Sequence, residues 1–147
     1  MTNKITNNKW FKLLVKYLFL FVFGSIVYAG IEIGFRGYTY LLMGIVGGIA
    51  FILIGLVNEV LDWDFPLILQ MIIGGLIVTL LELITGIALS NFGIQMWDYS
   101  GQWLNYKGVI CPLFSFIWCF ISLLGIVVDD FIRWDFFGEE KPRYRWF

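Results

Sequence analysis

The chain has 147 residues, of which 60% are hydrophobic, 20% aromatic and only 14% charged, and its formal net charge is −1. A soluble domain carries roughly 25% charged residues, so this composition excludes an ordinary water-soluble protein and indicates an integral membrane protein. The near-neutral charge gives no argument for nucleic acid as a partner. The sequence has no histidine, the commonest metal ligand, and we expect neither a metal nor a cofactor.

Four apolar runs are long enough to cross about 30 Å of hydrocarbon as helices. They cover residues 13–34, 40–57, 65–89 and 109–128, and the aromatic and charged segment 129–147 is predicted to be an interfacial tail. The predicted fold is therefore all-α, a single polytopic domain (residues 1–147) with four transmembrane helices. A cleaved signal peptide ending near Val27 and Ala29 is the less favoured alternative, because the first apolar run continues past Ala29.

The distribution of basic residues predicts the orientation of these spans. One side of the membrane receives eight of them: Lys4, Lys9, Lys12, Lys16, Arg133, Lys141, Arg143 and Arg145. The opposite side receives only Arg36 and Lys107. The positive-inside rule then places both termini in the cytoplasm and the segment between the third and fourth spans outside, in a multi-pass protein of the cell membrane.

Two glutamates lie inside the predicted spans, Glu32 in the first and Glu82 in the third. A charged residue at the centre of a spanning helix costs about 2.5–3.5 kcal/mol, so such residues are candidates for function by default. Tyr28, Glu32 and Arg36 are four residues apart and share one helical face, with Glu32 and Arg36 in the favourable order for an ion pair. Glu32 is then either a neutralised structural residue or part of a polar site.

Glu82 has no such partner on its own helix. It belongs to a face of small and polar residues, which also includes Gly75, Thr79, Thr85 and Gly86. Small residues let neighbouring helices approach closely, so this face is predicted to look into the helix bundle. We expect the partner of Glu82 to come from other segments, with four candidates: Arg36, Lys107, Asn105 or a tyrosine hydroxyl.

Small residues at helical spacing also occur in the second and fourth spans. They are Gly44 and Gly48 in the second span, and Cys111, Ser115, Cys119 and Ser122 in the fourth. These stripes predict close helix packing rather than a track for a ligand.

The segment "WDYSGQWLNYKGVIC" (97–111) interleaves aromatic residues with charged and amide residues. An aromatic belt at the membrane surface is one interpretation, but a belt does not require the polar residues. Since Gly101 and Gly108 permit tight turns and Pro112 suits the first turn of the last span, we predict a structured outer loop over Glu82 and Glu32. The candidate binding site combines both glutamate segments with this loop: Tyr28, Glu32, Arg36, Glu82, Trp97, Asp98, Tyr99, Ser100, Asn105, Lys107 and Cys111.

A specific set of residues also resembles a known family. "ELITG" (82–86), "WDYS" (97–100), Asn105, Gly108, "IC" (110–111), "FS" (114–115) and Trp118 resemble the ABC-transporter type IV family of CmpB-like membrane proteins. The resemblance is concentrated in residues 75–125. In the first half Glu32 and "RG" (36–37) fit the family, but its usual prolines are missing, and Cys119 stands where the family usually has glycine. The resemblance implies a permease, and since the sequence shows no Gly-rich phosphate loop, transport would need an oligomer or a separate partner.

Three functions are compatible with this sequence. The favoured one is a small membrane binding or transport protein, whose outward-facing polar site takes a small charged or zwitterionic solute or a lipid headgroup. The alternative is a non-catalytic assembly or regulatory subunit. Such a subunit would lie in the lipid bilayer and bind either a second copy of this chain or a membrane partner protein. A membrane enzyme using Glu82 and Asp98 as acid and base is the third, with no catalytic residue assigned because histidine and nucleophile motifs are missing.

Overall fold

Residues 8–147 are described by a computed structural model. It contains four helices: α1 Lys9–Arg36, α2 Leu41–Val60, α3 Leu67–Asn91 and α4 Pro112–Phe137. Each helix is long and apolar enough to cross a membrane. The predicted all-α fold with four spans is confirmed, and the chain is a multi-pass membrane protein; Lys4 lies outside the described residues.

The helix ends follow from local sequence. The Asn8 side chain caps α1 by accepting a hydrogen bond of 3.1 Å from the backbone N–H of Trp10. Gly37 ends α1 with φ = 83°, and Gly138 ends α4 with φ = 67°, both in the left-handed region that glycine tolerates best. Pro112 occupies the first turn of α4, as predicted. α4 continues beyond the predicted end of the fourth span at residue 128, so the first part of the predicted tail is helical.

The first of two compact units ends at Ile52 and contains α1 and the first part of α2. These helices pack through the predicted glycine face of α2, since Gly48 lies against Ser25 and Phe21 of α1. Gly47 similarly lies against the ring of Tyr28. Glycine at these positions allows the two helices to approach closely, which confirms the packing role predicted for this face.

The second unit, Leu53–Phe147, contains the rest of α2, helices α3 and α4, the loop between them and the tail. Helices α3 and α4 run antiparallel and meet at small residues. A Cβ atom added at Gly75 would lie 2.9 Å from the Cα of Cys119, and Gly74 lies against Ser122. The predicted small-residue face of α3 is thus turned towards α4 and not towards lipid.

The tail packs against the neighbouring turns of this unit. The backbone N–H of Leu67 donates to the carbonyl oxygen of Arg145 at 2.7 Å, and the hydroxyl of Tyr144 donates to Asp130 at 2.8 Å. The Trp63 ring meets the Tyr144 ring edge to face, with centroids 6.2 Å apart. The tail therefore makes specific contacts with α3 and α4, which the sequence did not predict.

Replacing Gly75 with alanine is expected to destabilise the protein by about 1–3 kcal/mol, because the added methyl group must displace the Cys119 backbone. The matched control is Gly30→Ala, at an exposed glycine of α1. There, alanine is expected to leave stability unchanged or to raise it by up to about 1 kcal/mol. Thermal unfolding in detergent micelles measures both variants, and equal Tm values would contradict the close packing of α3 on α4.

Candidate functional site

The Glu82 carboxylate lies on α3 and is only 7% exposed. The Tyr99 hydroxyl donates to its Oε1 at 2.9 Å, and the Trp118 indole Nε1 donates to its Oε2 at 2.8 Å. Within residues 8–147, Glu82 has no ion-pair partner. The carboxylate is therefore held in place by two neutral donors.

This arrangement suits both protonation states of Glu82. The ionised carboxylate accepts from both donors. An indole N–H only donates, whereas a tyrosine hydroxyl can donate or accept. When Glu82 carries a proton on Oε1, it can donate to the Tyr99 oxygen while Oε2 still accepts from Trp118. The site can thus gain and lose a proton without losing its hydrogen bonds.

One of the partners predicted for Glu82 is present and another was missed. A tyrosine hydroxyl was among the four candidates, and it is that of Tyr99. Trp118 was not predicted as a partner, although a buried indole N–H normally requires an acceptor and this one lies in a span. The other loop candidates have different contacts. The Lys107 Nζ lies 5.6 Å from the centroid of the Tyr106 ring, and Asn105 donates a hydrogen bond to the Ser100 carbonyl oxygen within the loop.

The loop 97–111 is ordered by its own hydrogen bonds, as predicted. The Asn105 amide nitrogen donates to the carbonyl oxygens of Ser100 at 3.0 Å and Gln102 at 2.9 Å, and its Oδ1 accepts from the N–H of Gly108 at 3.0 Å. The Asp98 carboxylate accepts from the N–H of Ser100 at 2.8 Å, and this bond lowers the pKa of Asp98. Asp98, Ser100 and Asn105 therefore shape the loop.

Three aromatic residues of the loop and of α4 attach the loop to the helices. The Trp97 indole donates to the carbonyl oxygen of Val109 at 2.8 Å, and its ring edge lies over Gly86 of α3, where a Cβ would come within 3.1 Å. The Tyr99 ring stacks on Phe114 of α4 with centroids 4.3 Å apart. These contacts bring the Tyr99 hydroxyl to Glu82.

A cleft of about 350 Å³ opens between the end of α3 and the loop. Its lining combines apolar, amide, hydroxyl and basic groups: Gly86, Leu89, Ser90, Gly93, Ile94, Gln95, Met96, Trp97, Lys107, Gly108 and Val109. Trp97 and Lys107 were predicted site residues, while Ser90, Gln95 and Met96 were not. Gly86 in the wall is one helical turn from Glu82, and Lys107 has a left-handed backbone with φ = 53°, uncommon for a lysine.

The remaining predicted site residues have other surroundings. Cys111 is a buried free thiol at the start of α4. In the first unit, Arg36 donates to Glu32 Oε1 at 2.6 Å and the Thr39 hydroxyl donates to Oε2. Glu32 is thus neutralised locally, in agreement with the ion-pair interpretation, and Tyr28 packs on Gly47. That Tyr28, Glu32 and Arg36 share a pocket with Glu82 stays a prediction.

A second polar group lies at the other end of α3 and α4, where the predicted tail begins. Asp129, Asp130 and Arg133 of α4 are between 0% and 3% exposed. The Arg133 Nε donates to Asp129 Oδ2 at 2.6 Å, and the Asp129 carboxylate lies against Gly55 of α2. Sequence reasoning missed this group because it assigned residues after 128 to the membrane surface.

Further residues complete what we call the tail-end cluster: Asn58, Glu59, Asp129, Asp130, Arg133, Glu139 and Tyr144. Asn58 and Tyr144 both donate to the Asp130 carboxylate. Arg133 forms longer ion pairs with Glu59 at 3.5 Å and with Glu139 at 3.9 Å. Burial and the adjacent carboxylates raise the pKa of Tyr144. A cleft of about 260 Å³ reaches the cluster, with Asn58, Glu59, Trp63, Asp130, Arg133, Glu139 and Glu140 in its wall.

Replacing Asn105 with aspartate removes two donors from the loop and is expected to speed tryptic cleavage after Lys107 about tenfold, since each lost bond is worth about 0.5–1.5 kcal/mol. Gln102→Ala is the matched control, because Gln102 joins these bonds through its backbone. Mass spectrometry of the fragments measures the rate at this bond. Equal rates for Asn105→Asp and the native chain would contradict the ordering role of Asn105.

Comparison with known protein families identifies a match that spans the segments described above. Residues 28–137 match the family model described as "Putative ABC-transporter type IV". Neither a curated protein nor a solved structure matches the chain. The family match covers most of the chain and extends well beyond residues 75–125, where the resemblance was concentrated. The protein therefore belongs to the ABC-transporter type IV family of membrane proteins.

Proposed function

We propose that this chain is a membrane binding and transport protein whose ligand site is formed by Glu82, the loop 97–111 and the cleft beside them. The observation that carries the proposal is the Glu82 carboxylate, which is buried, fixed by Tyr99 and Trp118, and not paired with a basic residue in the part of the chain that is described. An ionised group in apolar surroundings is unfavourable without a partner. A proton or a cationic group of a ligand supplies that partner.

The cleft supports a small ligand that carries both charges, or one charge and a polar group. Lys107 provides a cation for a carboxylate or phosphate, and the Trp97 ring provides an apolar wall. Leu89 and Ser90 in the last turn of α3 line the same cleft, where the negative end of the helix dipole favours a cation. A zwitterionic solute or a lipid headgroup has this combination of groups.

The orientation of the site follows from the charge distribution. With both termini in the cytoplasm, the loop 97–111 and its cleft face outward. The eight basic residues near the two ends of the chain, against Arg36 and Lys107 on the opposite side, support this orientation. Four helices enclose little space, so we propose that transport takes place in a homo-oligomer or together with a membrane partner protein.

A non-catalytic assembly or regulatory subunit is the second candidate. It is favoured by Gly30 and Gly34 of α1, which are four residues apart and exposed. Pairs of glycines at this spacing allow close association of two membrane helices. In that case the loop 97–111 contacts a protein rather than a small ligand.

The proposal predicts a bound molecule that depends on Glu82. Native mass spectrometry of the protein released from lipid nanodiscs is expected to show a defined additional mass on the native chain. Glu82→Gln is expected to reduce its occupancy about tenfold or more, since a hydrogen bond to a charged group is worth about 1.5–3 kcal/mol.

Glu32→Gln is the matched control, because Glu32 is already neutralised by Arg36. This variant is expected to keep the additional mass. Bare protein in all three samples, with a fixed oligomer mass, would contradict the binding proposal and favour the assembly subunit. Loss of the mass in both variants would instead place Glu32 in the same site.

A further inference from the structure

Polar side chains recur along the contact between α3 and α4, which we call the α3–α4 seam. They are Gln70, Thr79 and Glu82 on α3, and Cys119 and Ser122 on α4. Asp129, two turns beyond Ser122 on the same face of α4, extends the line to Gly55 of α2, against which its carboxylate lies. Four of them are almost completely buried: Gln70 at 1% exposure, Glu82 at 7%, and Ser122 and Asp129 at 0%. Ser, Thr and Cys at such a contact can serve close packing alone, but the buried amide of Gln70 and the buried carboxylates of Glu82 and Asp129 require a further explanation.

The register of the two helices places these groups in one continuous series. Gly75 lies against Cys119 and Gly74 against Ser122. Because the helices are antiparallel, Gln70, one turn before Gly74, lies at the level of α4 between Ser122 and Asp129. Thr79 lies one turn beyond Gly75, on the side of Glu82.

The order along the seam is therefore Glu82, Thr79, Cys119, Ser122, Gln70 and Asp129. Successive members are about one helical turn apart, roughly 5 Å along the axis. The whole series covers roughly 25 Å, which is most of the ~30 Å of hydrocarbon in a bilayer.

Two members of the series carry buried oxygens without a partner. Ser122 Oγ and Gln70 Oε1 make no hydrogen bond to any group in residues 8–147. An unsatisfied buried polar atom costs about 1–3 kcal/mol, and internal water is the usual partner of such atoms in proteins. The Thr79 hydroxyl donates to the Gly75 carbonyl at 2.9 Å, so its lone pairs point away from that bond and can accept from water.

The series ends in titratable groups on both sides. Around Glu82 these are the Tyr99 hydroxyl and, as a neutral donor, Trp118. Around Asp129 and the neighbouring Asp130 the charged and titratable groups are those of the tail-end cluster: Arg133, Glu59, Glu139 and Tyr144. The cleft of about 260 Å³ connects the tail-end cluster to solvent.

From this series we infer that the α3–α4 seam conducts protons between Glu82 and the tail-end cluster, and that the proton is the ion coupled to transport. The inference rests on the binding role proposed for Glu82. Ser122, Gln70 and Thr79 are positioning residues, which hold water between the carboxylates. Glu82 and Asp129 accept and release the proton.

The transfer balances without any redox partner. A proton binds to Glu82 Oε1, and the protonated carboxyl group then donates it to a water held at Thr79. Each later step forms one O–H bond as another breaks, through waters at Ser122 and Gln70, until Asp129 or Asp130 takes the proton and releases it into the cleft. One positive charge has then crossed the seam.

The test is proton flux into liposomes containing the purified protein, with no ligand added. A potassium gradient with valinomycin makes the interior negative, and a trapped pH-sensitive dye reports acidification. The native chain is expected to acidify the interior faster than protein-free liposomes do. Ser122→Ala, Gln70→Leu and Glu82→Gln are each expected to slow this flux about tenfold, which corresponds to about 1.4 kcal/mol on the barrier.

The matched control is Ser25→Ala. Ser25 is also a serine whose buried Oγ has no hydrogen-bond partner among residues 8–147, but it lies on α1 in the first unit. The proton flux of the Ser25→Ala protein is expected to equal that of the native chain. All variants are first compared by gel filtration in detergent, and if Gln70→Leu does not fold, Ser122→Ala carries the test because it only removes an oxygen atom.

Ligand occupancy in nanodiscs, measured on the same variants, separates this inference from the proposed function. Ser122→Ala and Gln70→Leu are expected to keep the additional mass that Glu82→Gln loses. If the native chain is no faster than protein-free liposomes, or if Ser122→Ala and Gln70→Leu conduct like the native chain, the proton route is overturned. If the proton route is overturned but the additional mass still depends on Glu82, the proposed binding function stands.

Discussion

A carboxylate surrounded by apolar groups has to be paired, hydrogen-bonded or protonated, and the polar architecture of this protein depends on how that requirement is met. Glu32 meets it with Arg36 on the same helix, and Asp129 meets it with Arg133. Glu82 meets it with the neutral donors of Tyr99 and Trp118. Of these three acids, Glu82 alone has no basic partner among residues 8–147, so its position depends on neutral donors where Glu32 and Asp129 have ion pairs.

Close contact between α3 and α4 makes the Glu82 arrangement possible. The glycines at 74 and 75 bring the helix backbones together, so the Trp118 side chain reaches across to α3. Gly86 similarly gives the Trp97 ring room against α3, and this contact positions the loop that supplies Tyr99. A substitution that separates the helices therefore acts on Glu82 even when it lies two turns away, because both donors come from outside α3.

The four spans and the structured loop could be predicted because they follow from local chemistry. Hydrocarbon thickness sets the length of the apolar runs, and Asn105 orders its loop through bonds to residues within five positions. Trp118 was missed because its N–H acquires a partner only when α4 is set in register with α3. The tail-end cluster was missed partly for the same reason, because Asp130 accepts from Asn58, which is 72 residues away in the sequence. In addition, the hydropathy pattern ended the fourth span at residue 128, where charged residues begin, although α4 continues to Phe137.

The position of Glu82 also limits how binding and proton movement can be linked. Both of its oxygens already accept a hydrogen bond, and the carboxylate has a single negative charge to neutralise. On the proposed function, a cationic group of the ligand and a proton are therefore alternatives at Glu82. A ligand that binds at the loop releases the proton into the α3–α4 seam, and a proton arriving from the seam weakens the binding of the ligand. Exchange of one for the other then follows from the presence of one uncompensated charge and requires no movement of the helices.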